Sequence, residues 1–165
     1  MLSLVQYARP ARAEDIKKLE DLVGHSLPDD YLNFLRTING GWYNQISSSF
    51  YCEEHGHHHD INKLLHMSSS IDDCTDDRFR KNFLYNTVFF ETEEARNIFH
   101  IPDHFIVIAT CEHALYYLDS KSGEVWYWYD EFGPEIESTQ HFLENAKTIS
   151  PSFTEFQSKI IIRKF

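Results

Sequence analysis

Cysteine is scarce in this chain. Cys52, Cys74 and Cys111 are an odd number at spacings that suit neither a disulfide framework nor a thiolate metal site. Reduced thiols, and with them a cytoplasmic setting, are the expectation. No apolar run approaches the roughly 18 residues that a membrane-spanning helix needs. Residues 1–12 are too short and too interrupted for a signal peptide. No stretch is rich enough in Pro, Gly or Ser to link two domains. Basic residues are outnumbered, with 15 Lys and Arg against 26 Asp and Glu, for a formal net charge of -11. A protein that reads phosphate backbones carries a basic face, so this balance argues against a nucleic-acid partner. A phosphate-binding Gly-x-x-x-x-Gly-Lys-Ser/Thr loop, a dinucleotide fingerprint, a Gly-x-Ser-x-Gly elbow and EF-hand spacing are all missing.

What the chain does have is length and aromatic mass. Its 165 residues suit a single domain spanning 1–165, and aromatics make up 15% of it. A chain of this size buries about 70% of its unfolded surface and needs no covalent staple. The acidic excess favours solubility and attraction to a basic partner.

Residues 14–43 carry the clearest local pattern. Ile16, Leu19, Leu22 and Val23 recur three and four apart and mark one face of a helix. Gly24 can take the left-handed conformation that closes it. Pro28 suits a first helical turn, with Asp29 and Asp30 at the positive end of the helix dipole. Tyr31, Leu32, Phe34, Leu35 and Ile38 form the next apolar stripe, which Asn39, Gly40 and Gly41 end in a turn. None of these apolar positions is a nucleophile or a metal ligand.

Further along, residues 50–52 read as a short strand, and residues 61–67 fit a helical turn or a strand equally. Residues 72–77, DDCTDD, read as an exposed acidic loop or helix start. Residues 87–90 look strand-like, with Thr92 as the N-cap of a helix through Phe99. Residues 105–110, 114–119 and 124–129 are the best strands, and the last two form an antiparallel hairpin across a Ser-Lys-Ser-Gly turn. Trp126 and Trp128 share one face of the last strand. Residues 138–149 read as a helix, and Ser152 with Glu155 reads as a capping box for the final one.

Two clusters could carry chemistry. His55, His57, His58 and His59, beside Glu53, Glu54 and Asp60, have ligand types that suit zinc, nickel or copper. Gly56 argues against a rigid helix there, and adjacent imidazoles on a polar, solvated loop are the simpler reading. A response to pH is a third reading of the same run. Cys111 and His113 could share a face as a thiol and its base, but no residue in the sequence fixes the imidazole, and a small buried Cys is commoner.

In order, these segments closely resemble the SUKH superfamily. The resemblance rests on Leu19-Glu20, on Leu27, Pro28 and Tyr31, and on the Asn39-Gly40-Gly41 exit. It continues through residues 105–109, Tyr116-Tyr117-Leu118-Asp119, Gly123-Glu124-Val125 and the closing Ser152-Phe153 to Phe156. The loop Cys111-Glu112-His113-Ala114 departs from it, because relatives carry a Gly- and Asp-rich loop there. Residues 44–86 align with no part of the family pattern and are where partner specificity is expected to vary. The resemblance implies a single α+β domain: a twisted, mainly antiparallel sheet flanked by helices. It also implies a non-catalytic immunity protein that binds a cognate bacterial toxin, with no required cofactor. A nuclease is the toxin class whose basic cleft an acidic surface fits.

On that reading the candidate contacts are Glu53, Glu54, Asp60, Asp72, Asp73, Asp76, Asp77, Asp130 and Glu131, with Trp42, Tyr43, Trp126 and Trp128 as anchors. The plain alternative is that the acids form a solvated face and the aromatics a core. Two rival functions remain: a regulatory or scaffold module of the same fold, and a metalloprotein built on the His run.

Overall fold

The computed structural model describes residues 4–43, 48–52, 57–111, 114–129 and 136–162, with the backbone alone at 48, 50, 52, 57, 129, 161 and 162. Local chemistry explains the first two helices. α1 (Ala13–Val23) buries Ile16, Leu19 and Val23 along one stripe. Gly24 ends it at φ 73°, its N–H bonded to the carbonyl of Glu20. α2 (Asp29–Thr37) starts after Pro28 with two aspartates in its first turn and buries Tyr31, Leu32, Phe34 and Leu35. Asn39 and Gly40 then turn the chain at φ 55° and 86°. A Cβ at Gly40 would stand 2.9 Å from the backbone of Leu65 and His66, so glycine is required there. Asn39 is fully buried and ties two segments together. Its amide donates to Arg9 O (2.6 Å), and its carbonyl oxygen accepts the Met67 N–H (2.9 Å).

These turns feed an antiparallel sheet of seven strands. In chain order its members are β1 (Leu4–Val5), β2 (Gly41–Tyr43), β5 (Lys63–Leu64), β6 (Phe105–Thr110), β7 (Ala114–Asp119), β8 (Val125–Tyr129) and β9 (Lys147–Ser150), and they neighbour one another in that order. A second sheet has the order β10 (Ile160–Ile162), β3 (Ser48–Cys52), β4 (His57–Asp60). The β7–β8 hairpin closes as its sequence reads. Asp119 Oδ1 accepts the Lys121 N–H, Oδ2 accepts the Ser122 hydroxyl, and Gly123 takes φ 81°. The resulting architecture is a single-domain α+β fold.

The large sheet is covered on both faces. Tyr117 pairs with Trp126 and Leu115 with Trp128, so these side chains share a face. On that side α3 (Val88–Phe99) brings Phe99 onto Trp128, and α4 (Thr139–Asn145) brings Phe142 onto Tyr117 and Phe105. On the other side Tyr116 and Tyr127 meet Phe156 of α5 (Phe153–Lys159) and His59 of the small sheet. Phe153 of α5 joins Tyr31 and Phe34 of α2 in an aromatic cluster. Each fully buried side chain of this size contributes about 1.5–3 kcal/mol.

Four local expectations are corrected. Residues 87–90 are not a strand: Thr87 is the N-cap of α3, its hydroxyl accepting the Phe90 N–H at 3.0 Å. Thr92, read as that cap, lies inside the helix, fully buried, and accepts the Val107 N–H on β6. A Val-Phe-Phe run leans toward strand by propensity, and packing against β6 overrides it. The helix read over residues 138–149 stops at Asn145, and Thr148 and Ile149 go into β9, where Thr148 pairs with Trp126, Ser150 pairs with Val125 and the register shifts between them at Ile149. The β-branched pair satisfies the edge of β8. Finally, the later part of the His run is a strand, not a loop: His57–Asp60 is β4, paired with β3.

Candidate functional site

The acidic run splits when folded. Ser70 caps a single 3-10 turn, Ile71–Asp73 (η1), which turns Asp73 inward. There it accepts hydrogen bonds from Arg12 (2.6 Å) and the Ser68 hydroxyl. Burial pushes the Asp73 carboxyl up, but these bonds and the Arg12 charge outweigh it and hold it below the usual carboxylate range. Asp73 is a structural anchor between the N-terminal segment and this turn. Asp76 is engaged by the Arg78 guanidinium, and its backbone carbonyl accepts from the Cys74 thiol. Only Asp72 and Asp77 of this run face solvent fully, and Asp72 lies 3.9 Å from Arg80.

On β4, side chains alternate. His59 points to the core, 6% exposed, its ring 4.1 Å from that of Tyr127. His58 points outward, its ring 4.9 Å from the exposed Tyr51 and its Nδ1 3.0 Å from the Ser49 hydroxyl. Asp60 is exposed beside them, its backbone carbonyl accepting the Tyr116 hydroxyl. Neighbouring imidazoles on a strand face opposite ways, so His58 and His59 cannot close on one ion. Among the described residues no group of three or more His, Cys, Asp or Glu side chains is placed to hold a metal. Glu53, Glu54, His55, Asp130 and Glu131 lie outside the described residues, as does His113 beside Cys111, and the His57 side chain is likewise not described.

The aromatic candidates are mostly interior. Tyr43 and Trp128 are buried in the main core. Trp126 is half-buried against Phe105, and its indole N–H is buried with no partner among the described residues. Trp42 is half-buried and stacks on Phe79 at 5.6 Å, with its own indole N–H likewise unpartnered. It flanks a second small core of Tyr7, Ala8 and Phe83.

That second core surrounds a fully buried histidine. His66 stacks on Phe83 at 4.0 Å and meets Tyr7 edge-on. Its Nδ1 accepts the Ser68 N–H, so the proton sits on Nε2 and is donated to Phe83 O at 2.9 Å. Burial lowers its pKa to about 4, with Lys63 adding to the effect and Phe83 O and Asp73 opposing it. Nearby, Lys63 bonds Asn86 and stands 3.7 Å from Glu91. Burial lowers the Lys63 ammonium and raises the Glu91 carboxyl, and each charge partly offsets the other. These groups satisfy one another and pin the start of α3 to β5.

A different surface was not legible in the sequence. A second 3-10 segment, Arg80–Asn86 (η2), leads into α3. The large apolar side chains left exposed among the described residues are Tyr51, Leu84, Tyr85, Phe90, Ile98 and Leu143. All but Tyr51 belong to η2, α3 and α4. Reading residues 87–90 as strand hid this. As one helix from Val88, the segment has apolar residues on both its inner and outer faces.

The fold and its surfaces define a class: an α+β domain whose polar clusters are mostly spent on its own architecture and whose outer faces are acidic and aromatic. More narrowly, the chain belongs to the SMI1 / KNR4 family (SUKH-1), whose family model matches residues 10–159. Residues 44–86, which carry β3, β4, β5, η1 and η2, fall inside that span. No curated protein matches the sequence. Among the described residues no helix is long and apolar enough to cross a membrane.

Proposed function

We propose that this protein is an immunity protein that neutralises a cognate bacterial toxin by stoichiometric binding. It covers the toxin's active site or a surface next to it and performs no chemistry of its own. The observation that carries this reading is membership of the SMI1 / KNR4 family over residues 10–159, within a superfamily that includes immunity proteins. The net charge of -11 supports a basic partner, and a nuclease with a phosphate-binding cleft is the toxin class it fits. The exposed Asp77 takes part in no ion pair among the described residues and is available to such a partner.

The test is growth rescue. The toxin-like domain encoded beside this gene is expressed with and without this protein, and the pair is co-purified. Rescue with a stable one-to-one complex is the expected result. No rescue and no complex would reject the pairing and favour a regulatory or scaffold protein of the same fold.

A further inference from the structure

The outer face of α3 combines features that seldom occur together on a surface with no partner. Phe90, Glu94 and Ile98 are spaced four apart, so they line up along one stripe of the helix. Tyr85, at the end of η2, is 59% exposed and meets the Phe90 ring edge-on at 5.3 Å. Ile98 is 55% exposed, and Leu84 stands open beside Tyr85. Glu93 and Glu94 are exposed on the same side, and neither joins an ion pair among the described residues. α4 continues the layer: the Thr139 hydroxyl donates to His100 O at 2.7 Å, and Leu143 is exposed.

Several other carboxylates are engaged by basic neighbours. Asp73 and Asp76 are held by Arg12 and Arg78, and Lys17 and Lys18 engage Asp21 and Asp15. Clustered exposed apolar groups rimmed by free carboxylates are the composition of an interface. A second copy of this chain is a poor occupant, because it would bring another -11 of like charge to the same carboxylates.

We propose that the outer face of α3 with the end of η2 is the docking surface for a basic protein. Lys or Arg side chains of the partner pair with Glu93 and Glu94, while an apolar side chain seats against Tyr85, Phe90 and Ile98. This deepens the immunity reading and rests on it: the basic protein is the toxin.

The experiment uses the full chain and the toxin-like domain encoded beside its gene, by calorimetry at low and high salt. Three variants are compared with wild type: Glu93→Lys with Glu94→Lys, Phe90→Ser with Ile98→Ser, and Asp60→Lys on the small sheet. All these side chains are exposed or nearly so, and unchanged melting curves establish that each variant is folded. The expected result is a loss of about tenfold or more for each α3 pair and less than about threefold for Asp60→Lys. The loss from the charge reversals should shrink as salt rises. A complex that tolerates both α3 pairs but is lost with Asp60→Lys overturns the docking surface and leaves the immunity reading standing. No complex with wild type overturns both. A complex lost only with the apolar pair, at all salts, overturns the basic character of the partner.

Discussion

Acid should destabilise this protein through His66. Its ring is fully buried between Tyr7 and Phe83, and both nitrogens are committed, one accepting from Ser68 N–H and the other donating to Phe83 O. A second proton on Nδ1 would break the Ser68 bond and place a charge in an aromatic core, close to the Lys63 ammonium. At neutral pH the imidazole is uncharged in both folded and unfolded chains and costs nothing. Below the ordinary value of 6.5 the unfolded chain takes up a proton that the folded chain refuses until about pH 4. Stability present above pH 6.5 is therefore lost as pH falls through that window. The difference corresponds to about 3 kcal/mol when complete and to about 2 kcal/mol near pH 5. The assay is urea unfolding of wild type and His66→Gln at about pH 7 and about pH 5. Glutamine can still accept from Ser68 and donate to Phe83 O, but it cannot titrate. Wild type should lose about 2 kcal/mol more than the variant between those pH values. His104, whose pKa burial also lowers, is common to both proteins and cancels. Equal losses in the two proteins would refute the reasoning, as would an NMR titration of folded His66 near its ordinary value.

Thr92→Val should cost about 1–3 kcal/mol by urea unfolding, because the hydroxyl it removes is fully buried and leaves the Val107 N–H without its acceptor. An isosteric change that cost nothing would show that this bond does not hold α3 to β6. Replacing His57, His58 and His59 together by Ala should lower stability by roughly 1–3 kcal/mol, read as a fall in melting temperature, since His59 packs on Tyr127 and His58 contacts the buried Ser49. A solvated His loop would leave the melting temperature unchanged.

Where a signal is carried by neighbours in sequence, the chain could be read directly. Gly24, Pro28 and the Asp29-Asp30 pair bound α1 and α2 through backbone freedom, a missing N–H and a helix dipole, all of which act within a turn. The β7–β8 hairpin and the Ser152 cap of α5 are legible for the same reason. The candidate site was far less legible. Asp72, Asp73, Asp76 and Asp77 look alike in sequence, yet Asp73 is buried beneath Arg12, which is 61 positions away. Tyr43 and Trp128 look like surface anchors but fill the core, whereas Tyr85, Phe90 and Ile98 look like core and stand in solvent.

The sequence by itself determined the family, the α+β class, the acidic charge, and the helices and hairpin whose ends are marked by local chemistry. Tertiary structure alone decided which carboxylates are spent internally, that His59 faces Tyr127 while His58 faces out, and that residues 88–90 are helix and Thr148 and Ile149 strand. The reason is physical. Caps and turns are settled by groups a few residues apart, but burial is settled by whatever lies across the sheet, and a short run of aromatic and β-branched residues satisfies either a strand edge or a helix face until that neighbour is in place.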